Sequence, residues 1–115
     1  MIIKNKNQRN EIKVKMREGL GEVSIQHIVE KEKLNHSRLF SKICLKKGCS
    51  IGEHTHIKET EYYYIIKGEG VVTEQTGSIN VKAGDVVITG DQESHSILNE
   101  KEEDLEFLAV IILDD

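Results

Sequence analysis

The chain has 115 residues, 37% of them hydrophobic and 31% charged, with a formal net charge of −4 and neither proline nor tryptophan. That length and balance fit one folded domain, spanning residues 1–115, and exclude a disordered chain. The acidic balance and the lack of a basic, aromatic-interleaved stripe argue against nucleic-acid binding, and no apolar run is long enough to span a bilayer.

In chain order, residues 1–20 form an N-terminal extension. Met1-Ile2-Ile3-Lys4-Asn5 has no secretory hydrophobic region, so a cytoplasmic protein is expected. Ile12, Val14 and Met16 alternate with lysines, which predicts a short edge strand ending at Glu18-Gly19. The cations from Lys4 to Arg17 are broken by Glu11 and polar residues and read as a solvated face. Val23, Ile25 and His27 predict a strand over 22–30, with His27 half-buried and no ligand. His36 falls in a polar loop and reads as exposed.

Arg38 to Lys47 predicts the next strand. Leu39, Ser41, Ile43 and Leu45 share one face, and Arg38, Phe40, Lys42 and Cys44 the other. Cys44 and Cys49 do not have the spacing of a metal knuckle or a redox pair; both are expected as thiols, Cys44 as a small core residue.

The chemistry concentrates after Gly48. His54 and His56 are two apart, so in an extended chain both imidazoles point to one face, and Glu61 opens the following apolar run. Imidazole plus carboxylate suits a divalent transition metal such as manganese, iron, cobalt, nickel or zinc. A strand over Glu61 to Lys67 puts Tyr63 and Ile65 on the face of Glu61, and Tyr62, Tyr64 and Ile66 on the other. Tyr63 is therefore a candidate pocket-lining phenol, with ring packing in the core as the equal alternative. Phe40 is a second candidate for the pocket wall, whereas Glu53 and Glu59 read as solvated.

Short strands then follow at Val71 to Gln75, Ser78 to Val81, Val86 to Thr89, Ser94 to Asn99 and Leu105 to Leu113, separated by Gly, Asp and Asn turns. The last is apolar on both faces, as in a central strand or a subunit interface, and a homodimer is expected. No segment shows a helical stripe. The prediction is an all-β sandwich or barrel of roughly nine to eleven short strands.

Two stretches resemble the motifs of the cupin superfamily. The first motif is a glycine, five residues, His-x-His, three or four residues, Glu, six residues and a glycine, and here it falls on Gly48, His54, His56, Glu61 and Gly68. The second is a glycine, five residues, Pro-x-Gly, two residues, His, three residues and Asn. Gly84, His95 and Asn99 match it in register, while Gly90 stands at the proline position and Gln92 at the second glycine. Both motifs lie within 48–99.

The resemblance implies a double-stranded β-helix, or jelly-roll, barrel. It also implies one divalent metal held by His54, His56, Glu61 and His95, with two coordination positions left for water or a small molecule. Relatives include oxygenases, decarboxylases, isomerases and ligand-sensing domains, so two readings stand together. One is a metalloenzyme acting on a small anionic carboxylate or sugar-like ligand; the other is a metal-dependent binding or sensing module for the same ligand class.

Overall fold

The computed structural model describes residues 1–115 and contains ten strands in two antiparallel sheets. The strands are β1 (Arg9–Val14), β2 (Glu22–His27), β3 (Ser37–Leu45), β4 (Ser50–Thr55), β5 (Glu59–Lys67), β6 (Glu69–Glu74), β7 (Gly77–Lys82), β8 (Val86–Thr89), β9 (Ser94–Leu98) and β10 (Leu105–Leu113). The larger sheet runs β1-β2-β3-β10-β5-β8 and the smaller β4-β9-β6-β7. The fold is all-β, as the alternation of short strands and turns predicts, and it is the jelly roll that the cupin resemblance implies.

Period-two alternation sends one residue set inward from each strand. On β10, Leu105, Phe107, Ala109 and Ile111 are buried between the sheets, and on β5 so are Tyr63 and Ile65. These meet Val23, Ile25, Ile43 and Leu45 from β2 and β3, and Ile51, Val72 and Ile97 from the smaller sheet. Each buried Val, Leu, Ile or Phe contributes about 1.5–3 kcal/mol by leaving water. Strand β10 lies between β3 and β5, which explains its apolar character on both faces.

Three local expectations change. The first strand stops at Val14, and Met16–Glu18 forms a 3-10 turn in which Arg17 and Glu18, and Lys15 just before them, have φ of 54°, 62° and 53°. The second stops at His27, because the N–H groups of Ile28 and Val29 both turn to the carbonyl of Phe40. Strand β5 starts at Glu59 because β10 extends the ladder to a Leu113–Glu59 pair. This last shift brings Glu59 into register with Glu61 and Tyr63 on the inner face.

Candidate metal centre

The four motif residues arrive from both sheets. His54 on β4 lies directly opposite His95 on β9, Glu61 on β5 lies opposite Thr89 on β8, and His56 follows the end of β4. A register shift in β4 between Ile51 and His54 accompanies the inward turn of His54. The altered corner of the second motif fixes His56. Its N–H donates to Glu93 O at 3.0 Å, and its carbonyl accepts from Gln92 N–H at 2.6 Å. Gln92 holds a left-handed φ of 66°, and Gly90, at the proline position, uses an N–H that proline lacks to donate to Glu93 Oε1 at 2.6 Å.

One ligating atom from each of His54, His56, Glu61 and His95 lies within 4.8 Å of every other, and the group could hold a metal ion. Nε2 of His95 is 3.0 Å from Nε2 of His54 and 3.1 Å from Nε2 of His56. Glu61 Oε1 is 2.9 Å from His56 Nε2, 3.0 Å from His95 Nε2 and 3.7 Å from His54 Nε2.

The opposite ring nitrogens set the tautomers. His54 Nδ1 faces the Gly52 carbonyl at 2.8 Å, an acceptor only, so it carries the proton. His56 Nδ1 faces Glu59 Oε2 at 2.5 Å and likewise donates. His95 Nδ1 meets the Thr89 hydroxyl at 2.7 Å. With the proton on Nδ1 in His54 and His56, those neutral rings turn bare Nε2 lone pairs toward the carboxylate, and His95 does the same in the tautomer whose Nδ1 donates to the Thr89 hydroxyl. Glu61 Oε1 is buried and accepts no well-formed hydrogen bond.

Crowded lone pairs around an unpartnered buried oxygen are unfavourable by themselves and are resolved by a cation. Ligands about 2.1 Å from one ion and at right angles to each other are roughly 3 Å apart, the spacing of these nitrogens. The donor set therefore fits a divalent transition metal.

The surroundings reinforce the set. Glu59, expected to be solvated, is 7% exposed and ties His56 to Arg38, whose Nε and Nη2 each donate to it at 2.7 Å. That guanidinium first, with His56 adding to it against the cost of burial, lowers the Glu59 carboxyl from 4.5 to about 2. Burial would raise Glu61; where the imidazoles carry a proton on Nε2 instead, their hydrogen bonds to it outweigh burial and hold the group far below the ordinary carboxylate range. His56 is raised, chiefly by Glu61, whereas burial lowers His95. Glu53 is exposed.

A cavity of about 490 Å³ opens onto the cluster. Its wall combines apolar Met16, Ile25, Leu39, Ile43 and Ile51 with polar Lys13, Arg17, His27, Arg38, His54, His56, Glu61 and Tyr63. Tyr63 stacks on His95 with ring centroids 5.0 Å apart at 17°, and packs on Phe107 at 4.6 Å. Burial and then the Glu61 charge push its phenol well above the usual range, while the Arg17 charge pulls the other way.

Phe40 does not line the cavity. It shares the outer face of β3 with Lys42 and Cys44, opposite buried Ser41, Ile43 and Leu45, so the wall there is Arg38 and Leu39. Cys44 is accordingly half-buried on that outer face and stands outside the core cluster. His27 does reach the cavity; its Nε2 is 2.8 Å from Glu11 and its Nδ1 3.3 Å from the Ser41 hydroxyl. Asn99 is fully buried, donating to Leu45 O and Glu103 O and accepting from Lys101 N–H, a turn-fixing role.

The family model described as the cupin domain matches residues 41–111. The chain is a cupin. It is 46% identical over 114 residues to the oxalate-binding protein of Thermotoga maritima, covering 98% of this cupin and 94% of that relative. A crystal structure from Thermotoga maritima, described as a predicted oxalate decarboxylase, superposes with a TM-score of 0.92 at 46% identity, over 98% of this chain and 99% of the other. The polyketide cyclase RemF from Streptomyces resistomycificus shares the fold at 14% identity, with a TM-score of 0.79 over 100% of this chain and 80% of its own. No helix of this cupin is long and apolar enough to cross a membrane.

Proposed function

We propose that this cupin binds one divalent transition metal through His54, His56, Glu61 and His95 and uses it to hold a small dicarboxylate of the oxalate class in the adjoining cavity. The observation that carries the reading is the convergence of three Nε2 atoms on the unpartnered, buried Glu61 Oε1 at the cavity wall. The 46% identical oxalate-binding relative supports the ligand class. When bound, a divalent ion supplies a Lewis-acidic centre that neutralises and orients a carboxylate. The chain's own residues fix the imidazole tautomers, exclude water through the apolar wall and carry cationic side chains around the ligand.

Metal analysis of protein purified without added metal, followed by calorimetric titration with oxalate, tests this. The expected result is about one metal per chain, lost in His54→Ala/His56→Ala, with oxalate binding only to the metal-loaded form. Binding of oxalate unaffected by metal removal refutes it.

A second reading, metal-dependent decarboxylation, draws on two proton carriers beside the centre, His27 and Tyr63. Conversion of oxalate and a proton to carbon dioxide and formate, lost in His27→Gln with binding retained, favours the enzyme; tight binding without product favours the binding module. We also propose a homodimer through the outer face of the larger sheet. There Phe40, Val110, Tyr62 and Ile88 form one cross-strand row, and Leu108, Tyr64 and Val86 another.

A further inference from the structure

The turn before β2 is held in a costly conformation at the rim of the cavity. Lys15, Arg17 and Glu18 all carry a Cβ yet have left-handed φ, and such residues persist only where surrounding structure over-determines them. Hydrogen bonds and backbone contact fasten the turn in place. Lys15 N–H donates to Gly21 O, and Leu20 N–H to Ser50 Oγ, both at 2.8 Å; Ser50 N–H returns to Leu20 O at 2.8 Å. The backbones also touch, since a Cβ on Gly52 would lie 2.0 Å from Arg17 O and one on Gly19 2.5 Å from Ser50 O. The turn is thus clamped to β4 two residues ahead of His54.

What this clamped turn presents to the cavity is Arg17, with Lys13 from the end of β1. Neither side chain has an ion-pair partner. Of the other charged groups of the wall, Arg38 is committed to Glu59 and His27 to Glu11, while Glu61 faces the imidazoles of the cluster. Arg17 lines the same cavity as buried Tyr63 and the motif residues His54, His56 and Glu61. Two free cations, solvent-exposed at the rim of the cavity that holds the centre, are redundant for a neutral ligand and fit a dianion, and a guanidinium matches a carboxylate with two parallel hydrogen bonds.

Resting on the metal-and-carboxylate reading of the cavity, we propose that Arg17, assisted by Lys13, is the specificity-determining residue that selects small dianionic carboxylates over less charged ligands of the same shape.

The test uses manganese-loaded full-length protein titrated with oxalate and with oxamate, which has nearly the same shape and one negative charge fewer. Glycine takes φ of 54° freely, so Arg17→Gly removes the guanidinium and the strain together. Expected for R17G is a roughly ten- to hundred-fold loss of oxalate affinity, as for a charge-assisted contact, with a smaller loss for oxamate. Manganese stoichiometry stays unchanged, the thermal midpoint is equal to or above that of the wild type, and Arg17→Lys restores part of the affinity. Oxalate binding by R17G within about twofold of the wild type overturns the inference while leaving the metal-and-carboxylate reading standing. Parallel loss of manganese and thermal stability overturns it in favour of a structural role. Wild-type protein that binds manganese but not oxalate removes the ligand class, and the selection with it.

Discussion

Replacing Glu59 by glutamine probes the proposed metal centre without touching any of the four residues that would hold the ion. The carboxylate accepts two hydrogen bonds from Arg38 at 2.7 Å and one from His56 Nδ1 at 2.5 Å. An amide keeps one acceptor oxygen and puts an NH2 against either the guanidinium or the imidazole N–H, donor facing donor. One charge-assisted hydrogen bond is lost in a buried setting, costing about 1.5–3 kcal/mol. Removing the partner that orients a metal-binding histidine weakens metal affinity by about 10- to 100-fold. Denaturant unfolding of the metal-free protein measures the first quantity, and competition with a chelator of known affinity the second. Metal affinity within about twofold of the wild type refutes the claim that Glu59 sets the His56 tautomer. A double-mutant cycle with Arg38→Ala separates the ion pair from the histidine contact.

The same carboxylate predicts an acid limb. Its folded value of about 2 lies below its ordinary 4.5, so the stabilisation is complete above about pH 4.5 and is lost as pH falls through about 2. Because the Arg38 side chain is 37% exposed, solvent screening reduces the face-value contribution of roughly 3 kcal/mol to about 1–2 kcal/mol; the stability lost between pH 4.5 and 2 should be smaller by that amount in Glu59→Gln. Gln92→Gly, at φ of 66°, should raise unfolding free energy by about 0.5–1 kcal/mol in chemical denaturation, and a decrease would show that its side chain matters more than its backbone. If the proposed homodimer forms through the outer sheet face, wild-type protein sediments as a dimer and Leu108→Lys as a monomer, with the metal content of the wild type; a wild-type monomer, or an unchanged sedimentation coefficient in the variant, refutes that face as the interface.

What could be read from the chain was whatever depends on spacing. Alternation places Glu61, Tyr63 and Ile65 inward together, and the motif register puts His95 with His54 and His56. What could not be read depends on partners distant in sequence. Glu59 has the parity of Glu61, a signal present in the chain, but its strand begins there only because Leu113 pairs with it. Thr89 meets His95 through a fold that joins opposite sheets, and His27 reaches the cavity only because β1 and β3 flank β2. Phe40 failed as a wall residue because Ser41, on the adjacent parity, is the one buried. Left-handed φ at Arg17 contradicts its local preference, so only packing against Gly52 reveals it.

The stacking of Tyr63 on His95 also gives this cupin a built-in optical reporter. The chain has three tyrosines and no tryptophan, and Tyr62 and Tyr64 are 37% and 48% exposed on the outer face. Tyr63 alone is buried, its ring 5.0 Å from an imidazole of the centre. Occupation of the centre should therefore register in the near-ultraviolet absorption and emission of a single phenol, and Tyr63→Phe should silence that signal, so loading can be followed in real time without an added dye.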